Sequence, residues 1–305
     1  MKHLYVDYSY MCYRSLHAIK KDIKTMGYGI LRHIILKNIF YFTKKYQPDA
    51  VYICCDTGKS WRKKIYEAYK GQRKDARDKQ DIDFDKFYDM MNGVKDEIRE
   101  YLPFIVVDVD TLEADDIIGI MVTRHPEIEK VMVTADADYH QLLQYPNVVM
   151  YDPFRSKEIS LSRAEAMLAL EKKILIGDKS DNIPAVRPRL GVKTAEKMIA
   201  SGEVEELIES DESFREKYEL NKKLIDLTKT PKQLIRRLDE HLDAYSLSNG
   251  ALLIEYFKNN KLKTFLHDIT DIRKFLNRLV KKEEREVIVE ESDNKFENWL
   301  NHKGL

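Results

Sequence analysis

An α/β fold with a parallel sheet, followed by a largely helical second half, is predicted by three features of this 305-residue chain. Short β-branched runs alternate with helix-period patterns through the first 150 or so residues. Almost every run ends in carboxylates. After Tyr151 the strand signal nearly vanishes.

The elements follow in order. Leu4-Tyr5-Val6 is a strand that delivers Asp7. Leu31, Ile34, Ile35, Ile39 and Phe42 mark one face of a helix. Val51-Tyr52-Ile53-Cys54-Cys55 is a second strand, ending at Asp56. Phe84, Phe87, Tyr88, Met91, Val94, Ile98, Tyr101 and Leu102 mark a long helix before the third strand, Val106 to Val109. A short loop then presents Glu113, Asp115 and Asp116 at the start of a helix that ends near Pro126. Val131 to Ala135 is the fourth strand and leads to Asp136 and Asp138; Asn147 to Tyr151 is the fifth. Ser162-x-x-Glu165 is a capping box opening a helix to about Ile176. The loop Gly177-Asp178-Lys179-Ser180-Asp181-Asn182 adds a fifth acidic cluster, and helices punctuated by Gly191, Gly202, Pro231 and Gly250 run on to about Val280. The division expected is an α/β core over 1–180 and a helical lobe with its tail over 181–305.

Composition narrows the class. Hydrophobic residues at 43% and charged residues at 34% describe a globular chain. Net charge is zero, so affinity for nucleic acid must come from local patches. The cysteines Cys12, Cys54 and Cys55 make no disulfide framework, and neighbours in a strand point to opposite faces, so Cys54 and Cys55 read as core in a reducing compartment. Eight scattered histidines without cysteine partners argue against zinc. No apolar run approaches about 18 residues, and a strand begins almost at Met1, so neither a membrane span nor a signal peptide is expected.

In open α/β sheets ligands sit outside the carboxyl ends of the strands. An aspartate there is most often the N-cap of the next helix, and any one of these acids alone reads that way. Glu113, Asp115 and Asp116 within four positions, and Asp136 and Asp138 within three, exceed what caps need. Two unit charges about 4 Å apart repel by about 4 kcal/mol at an effective dielectric near 20. Magnesium, which binds carboxylates and substrate phosphates, would relieve that repulsion.

Two basic regions flank the acids. Lys59 to Lys79 holds nine Lys or Arg residues against three acids, with Trp61, Tyr66 and Tyr69 interleaved. A charge run is usually a solvated face, but cations mixed with aromatics suit single-stranded nucleic acid. Arg187 to Lys197 is a Gly-containing turn opening a helix, a pattern suited to phosphate.

Taken together, Asp7, Asp56, Glu113-Ala114-Asp115-Asp116, Asp136-x-Asp138 and Gly177-Asp178-x-x-Asp181-Asn182 resemble the acidic motifs of the structure-specific 5′ nucleases. That family contains flap endonucleases, the 5′-exonuclease domains of bacterial DNA polymerases and phage 5′-to-3′ exonucleases. Order, spacing and length look closest to its phage ribonuclease H branch. The resemblance implies a PIN-like sheet with a helix-hairpin-helix-like DNA-binding element in the helical lobe and a helical arch at about 57–80. It implies two Mg2+ ions, with Mn2+ as a substitute. Asp7, Asp56, Glu113 and Asp115 match ligands of the first. Asp136, Asp138 and Asp181 match those of the second, with Asp116 and Asp178 in outer positions. Lys70, Asp115 and Asp136 are the implied catalytic residues. Arg14, Arg62, Lys63, Tyr69, Lys70, Arg73, Arg189, Gly191, Lys193, Thr194 and Lys197 are the implied nucleic-acid contacts, with Tyr69 stacking on the substrate. The arch is expected to be mobile without substrate. The hairpin departs from the family's Gly-x-Gly, keeping Gly191 alone beside Pro188 and Arg189, which bears on both duplex binding and a K+ ion there.

The activity implied is 5′-3′ exonuclease and flap endonuclease with RNase H activity, removing RNA primers and 5′ flaps during lagging-strand replication. Substrates would be DNA and RNA–DNA hybrids with 5′ ends or flaps. The implied setting is a monomer in the cytoplasm of a bacterial host, with a single-strand DNA-binding protein or sliding clamp as partner. An acidic tail with Phe296, Trp299 and Leu300 at helical spacing would either pack on the body or dock on that partner. The alternatives are a toxin-type PIN ribonuclease, usually half this length, and a catalytically silent DNA-junction binding protein, which would not need the acids.

Overall fold

Alternation within each apolar run decides which side chains meet. The computed structural model describes residues 1–280. In chain order, β1 (Lys2–Asp7) is followed by α1 (Tyr8–Ala18), α2 (Ile23–Met26) and α3 (Ile30–Tyr46). Next come β2 (Ala50–Cys54), α4 (Arg62–Ile65), α5 (Arg73–Asp78), α6 (Phe84–Tyr101), β3 (Ile105–Val107) and α7 (Ala114–Thr123). β4 (Glu129–Val133) leads through a 3-10 helix over 137–144 to β5 (Val148–Asp152) and β6 (Lys157–Ile159).

The sheet order is β3-β2-β1-β4-β5-β6. All pairs are parallel except β5 with β6. β6 was not expected, because Lys157-Glu158-Ile159 has no apolar run; it pairs back along β5 through a tight turn. The chain steps outward from β1 to β2 and β3, then returns to place β4 on the other side of β1. This reversal is the switch point at which open α/β sheets bind ligands. In register, Val6 lies beside both Ile53 and Val133, so β1, β2 and β4 end level with one another.

Period-2 alternation splits the strands between two cores. Leu4, Val6, Val51, Ile53, Val131 and Val133 face the helices α1, α3 and α6. Tyr5, Tyr52, Cys54 and Met132 face α7. Cys54 and Cys55 fall in different cores, as strand geometry requires.

The second half begins with α8 (Arg163–Ile176), opened by the reciprocal Ser162–Glu165 capping box. A 3-10 turn (Lys179–Asp181) then precedes α9 (Val192–Ser201), α10 (Glu203–Ser210) and α11 (Glu212–Ile225). These helices share a third core, which includes Ile174, Leu190, Met198, Phe214 and Leu224. The remaining elements are a 3-10 turn (Leu227–Lys229), α12 (Lys232–Asp243), α13 (Leu253–Asn259), α14 (Lys263–His267) and α15 (Ile269–Leu276).

Packing here differs from the two-part division expected at residue 180. Leu234 and Leu238 of α12 sit in the core under α7. Leu253, Phe257, Phe265 and Ile272 of α13–α15 join the core of α3 and β1 on the other face. Tyr256 stacks on Tyr101 at 4.8 Å and donates to Glu97 at 2.8 Å. Among the described residues only the stretch from α8 to α11 forms a separate lobe, because the later helices carry apolar faces that the sheet layers still need covered. The tail with Phe296, Trp299 and Leu300 lies outside the described residues. Among the described residues no helix is long and apolar enough to cross a membrane.

Gly177 makes the turn between α8 and the acidic loop. Its φ is +70°, and a Cβ there would run into the Ile183 carbonyl and the Pro184 backbone. Gly177→Ala should therefore destabilise the fold by roughly 2–5 kcal/mol. Urea unfolding measures this, and a loss under about 0.5 kcal/mol, the ordinary surface range, would contradict it.

Candidate metal centre

Helix starts fix the acids at the sheet edge. Asp7 caps α1, its Oδ1 accepting the Tyr10 amide at 2.9 Å, and its Oδ2 accepts the Tyr139 hydroxyl at 3.1 Å. Asp56 Oδ1 accepts the Ala114 amide at 2.8 Å, tying the end of β2 to the start of α7. Within that start, the Glu113 amide donates to Asp116 at 3.0 Å and the Asp116 amide to Asp115 at 2.7 Å. Asp136 accepts the Asp138 amide at 3.0 Å, and Asp178 accepts the Ser180 amide at 2.7 Å.

These caps converge into two groups. Carboxylate oxygens of Glu113, Asp115 and Asp116 lie within 4.8 Å of one another, as do those of Asp138, Asp178 and Asp181. Asp136, expected beside Asp138 and Asp181, stands outside the tight second group; Asp178 takes that place because Lys173 draws it toward Asp138. Asp136 instead bears electrostatically on both Asp7 and Asp138, between the groups. Burial pushes the Asp7 carboxyl up to about 7, with the Asp56 and Asp136 charges adding to it. Asp138 is pushed up to about 6 by burial and then by Asp136. Burial also raises Asp115, against the pull of Arg62 and with Asp116 and Glu113 adding.

Four cations enter the same space. Arg62, 1% exposed, reaches Glu113 at 3.0 Å, Asp116 at 2.8 Å and Asp115 at 3.8 Å. Its Nε donates to the Leu224 carbonyl at 2.7 Å. Lys70 meets Glu113 at 2.5 Å and Asp181 at 3.8 Å, and Arg73 meets Asp181 at 2.5 Å. Lys173 pairs with Asp138 and, at 2.7 Å, with Asp178. Burial alone would raise Glu113, but Lys70 and Arg62 outweigh it and hold it below its usual value. Four cations cannot neutralise the nine acids Asp7, Asp56, Glu113, Asp115, Asp116, Asp136, Asp138, Asp178 and Asp181. Burial raises the carboxyls of Asp7, Asp115 and Asp138, and that surplus adds to it. A set made only of carboxylates, without histidine or thiolate, fits a hard divalent cation.

Two expected nucleic-acid contacts are corrected. Arg62 and Tyr69 are each 1% exposed, so neither offers a surface to a substrate. Tyr69 packs in the core of the helical lobe and donates to Glu113 at 3.1 Å. Burial wins because the aromatic ring and the guanidinium fill the space between α7 and α11, where Glu113 and Asp116 supply their partners. The segment expected to be mobile is also pinned. The Lys70 amide donates to the Asp181 carbonyl at 2.9 Å, Asn182 to the Ala68 carbonyl at 2.9 Å, and Gln72 to the Lys179 carbonyl.

Other expected contacts stand at the surface. Lys63, Arg189, Gly191, Lys193, Thr194 and Lys197 are exposed, Arg73 partly so, and Arg14 donates to the Pro153 carbonyl at 3.0 Å. Sequence reasoning missed Lys173 and Tyr139. Lys173 lies in the last turn of α8, five residues before Asp178, on an otherwise apolar helix face, which was its only signal. Tyr139 had none beyond its place after Asp138.

Two outcomes follow from this geometry. Removing one partner of a buried ion pair typically costs about 3–5 kcal/mol, so Arg62→Ala should lose about that much in urea unfolding. A fully stable variant would return Arg62 to the surface. The second outcome concerns pH. Folded Asp7 keeps its proton to about pH 7, against 3.8 for an ordinary aspartate, so the folded state binds more protons in that window and stability falls as pH rises. With chelator present, Asp7→Asn should match the parent near pH 4 and exceed it by about 2–4 kcal/mol near pH 8. An equal difference at both pH values would contradict the assignment.

Known proteins resemble this chain along most of its length. The model of the family described as 5′-3′ exonuclease, N-terminal resolvase-like domain, matches residues 2–172. The chain is 27% identical over 287 residues to the ribonuclease H of Enterobacteria phage T4, spanning 87% of this chain and 94% of that protein. It is 28% identical over 287 residues to the 5′-3′ exonuclease of Aquifex aeolicus, spanning 88% and 92%. The solved structure of the T5 D15 protein co-crystallised with metal ions shares the fold, with a TM-score of 0.62 at 19% identity, covering 80% of this chain and 99% of that one. A match over more than half of the chain, with relatives aligned along nearly their full length, shows that the chain belongs to the 5′-3′ exonuclease family.

Proposed function

We propose that this chain is a magnesium-dependent 5′ nuclease that removes RNA primers and 5′ flaps in lagging-strand replication, acting on DNA and on RNA–DNA hybrids. The observation that carries the reading is the pair of acid groups, Glu113-Asp115-Asp116 and Asp138-Asp178-Asp181, facing each other across Lys70. Asp7 and Asp56 would join the first group in holding one cation, and Asp136 the second in holding another. When bound, two divalent cations, Mg2+ or Mn2+, supply Lewis acidity at the scissile phosphate and a lowered pKa for the attacking water.

The chain's own groups do the rest. Asp116 is fully occupied by Trp61, Arg62, Thr230 and the Glu113 amide, so it orients the first group without facing the substrate. Lys70 places a fixed positive charge beside Glu113 and Asp181, where negative charge develops on the phosphate. Lys63, Arg73 and Arg14 would meet the strand near the cleavage point. Arg189, Gly191, Lys193, Thr194 and Lys197 line the exposed start of α9 and would hold the duplex backbone. A K+ ion at that turn would have Gly191 as its one glycine. The setting proposed is a cytoplasmic monomer that works with a single-strand DNA-binding protein or a sliding clamp.

The test is metal-dependent release of short 5′ products from end-labelled flap, nick and RNA–DNA hybrid substrates. Asp115→Asn and Asp136→Asn should abolish release while leaving binding within a few-fold. Lys70→Ala should lower the single-turnover rate about 10²–10³-fold, as when one preorganised charge is removed from a reacting centre. Normal cleavage by either aspartate variant would sink the reading.

A further inference from the structure

One hydrogen-bonded node lies behind the first acid group. Arg62 bonds Asp116 and the Leu224 carbonyl, and Thr230 Oγ1 donates to the same Asp116 at 3.2 Å. Each of the three residues that meet Asp116 or its guanidinium partner here has an exposed lysine as its chain neighbour. Lys63 follows Arg62, Lys223 precedes Leu224 and Lys229 precedes Thr230. Since the node draws α4, the end of α11 and the start of α12 together, these exposed lysines stand in one region of the fold. Lys232 and Arg236, one turn apart on the exposed side of α12, continue it, opposite the buried Leu234 and Leu238.

None of these five side chains is ion-paired among the described residues. Two acids close to them in the chain are already engaged. Asp226 is buried and accepts the Thr228 amide and hydroxyl, and Asp239 pairs with Arg124 at 2.6 Å. Lys222 lies over the Tyr218 ring instead. In a chain with zero net charge and many surface ion pairs, Lys223, Lys229, Lys232 and Arg236, unpaired over a stretch (223–236) whose one acid is Asp226, leave a local positive field.

We propose that Lys223, Lys229, Lys232 and Arg236 form a second nucleic-acid contact, which takes phosphodiester backbone on the flank of α7 and α12, away from the acid edge and from α9. The proposal rests on the nuclease reading for the class of ligand. The surface is a track of cations without an aromatic platform, so it grips phosphates and reads no sequence. A substrate engaged there and at α9 is held on both sides of the cleavage point.

The probe is a fluorescein-labelled 5′-flap duplex, titrated in EDTA so that binding is read without cleavage. Lys229→Glu/Lys232→Glu/Arg236→Glu should weaken binding by about tenfold or more at moderate salt. The slope of log K against log salt should become shallower by about 2–3, at about 0.9 per lost phosphate contact. Lys229→Gln/Lys232→Gln/Arg236→Gln should move both in the same direction by less. Single-turnover cleavage at saturating enzyme should be unchanged, since none of the three touches the acid groups. Unaltered affinity and slope would overturn the proposal, showing a solvated face. So would unaltered affinity for the duplex with weakened binding to an acidic protein partner. Absence of cleavage by the parent protein would instead overturn the nuclease reading, while the binding titration stands apart from it.

Discussion

Crowding of like charge at one sheet edge is the constraint to which the rest of the structure answers. Nine carboxylates gather where β1, β2 and β4 end, and at separations near 4 Å each pair repels by about 4 kcal/mol at an effective dielectric near 20. The protein meets part of this with its own cations, and those cations decide how its parts join. Arg62 binds the first acid group and, through the Leu224 carbonyl, the helical lobe. Lys70 and Arg73 draw the basic segment onto Asp181. Lys173 does the same for α8 with Asp138 and Asp178. The contact between sheet and lobe is therefore largely an answer to the acids. Burial, with the neighbouring acids that the four cations leave unneutralised adding to it, makes Asp7 and Asp138 hold their protons well above the ordinary carboxylate range.

Capping and ligation, which look like competing uses of an aspartate, coincide here. A carboxylate has two oxygens, and an amide at a helix start fixes only one. Asp56 gives one oxygen to the Ala114 amide, and Asp136 gives one to the Asp138 amide. In each case the cap sets the orientation of the carboxylate and leaves oxygen lone pairs for a cation. Preorganisation of this kind places the ligands before any cation arrives. Asp116 marks the limit. Both its oxygens are taken by protein donors, and its part is to steady Glu113 and Arg62.

The same logic explains why the later helices return to the sheet. An open α/β sheet must be covered on both faces. The helices between strands leave gaps over β1 and α3 on one side and beside α7 on the other. Leu253, Phe257 and Phe265 close the first gap, and Leu234 with Leu238 closes the second. The lobe of α8–α11 is thus held in place by chain on both sides of it, which keeps Asp178 and Asp181 at the edge.

Much of this was legible in the amino-acid order. The strands and their parallel pairing follow from apolar runs separated by helical periods. The α8 start follows from Ser162 and Glu165, and the acids follow from their positions just past the strands. These are local properties, set by backbone geometry within a few residues. Burial of Arg62 and Tyr69 was not legible, because nothing in a basic, aromatic segment says which side chains another element will cover. Leu224, 162 residues further on, is what encloses the guanidinium. Lys173 and Tyr139 were silent for the same reason, since their roles exist only once α8 and the 137–144 turn bring them to Asp138 and Asp7. Sequence determined which groups reach the edge, because strand ends are local. Tertiary structure alone decided which cations meet them and which of those still face solvent, because charge pairing at this edge joins residues separated by most of the chain.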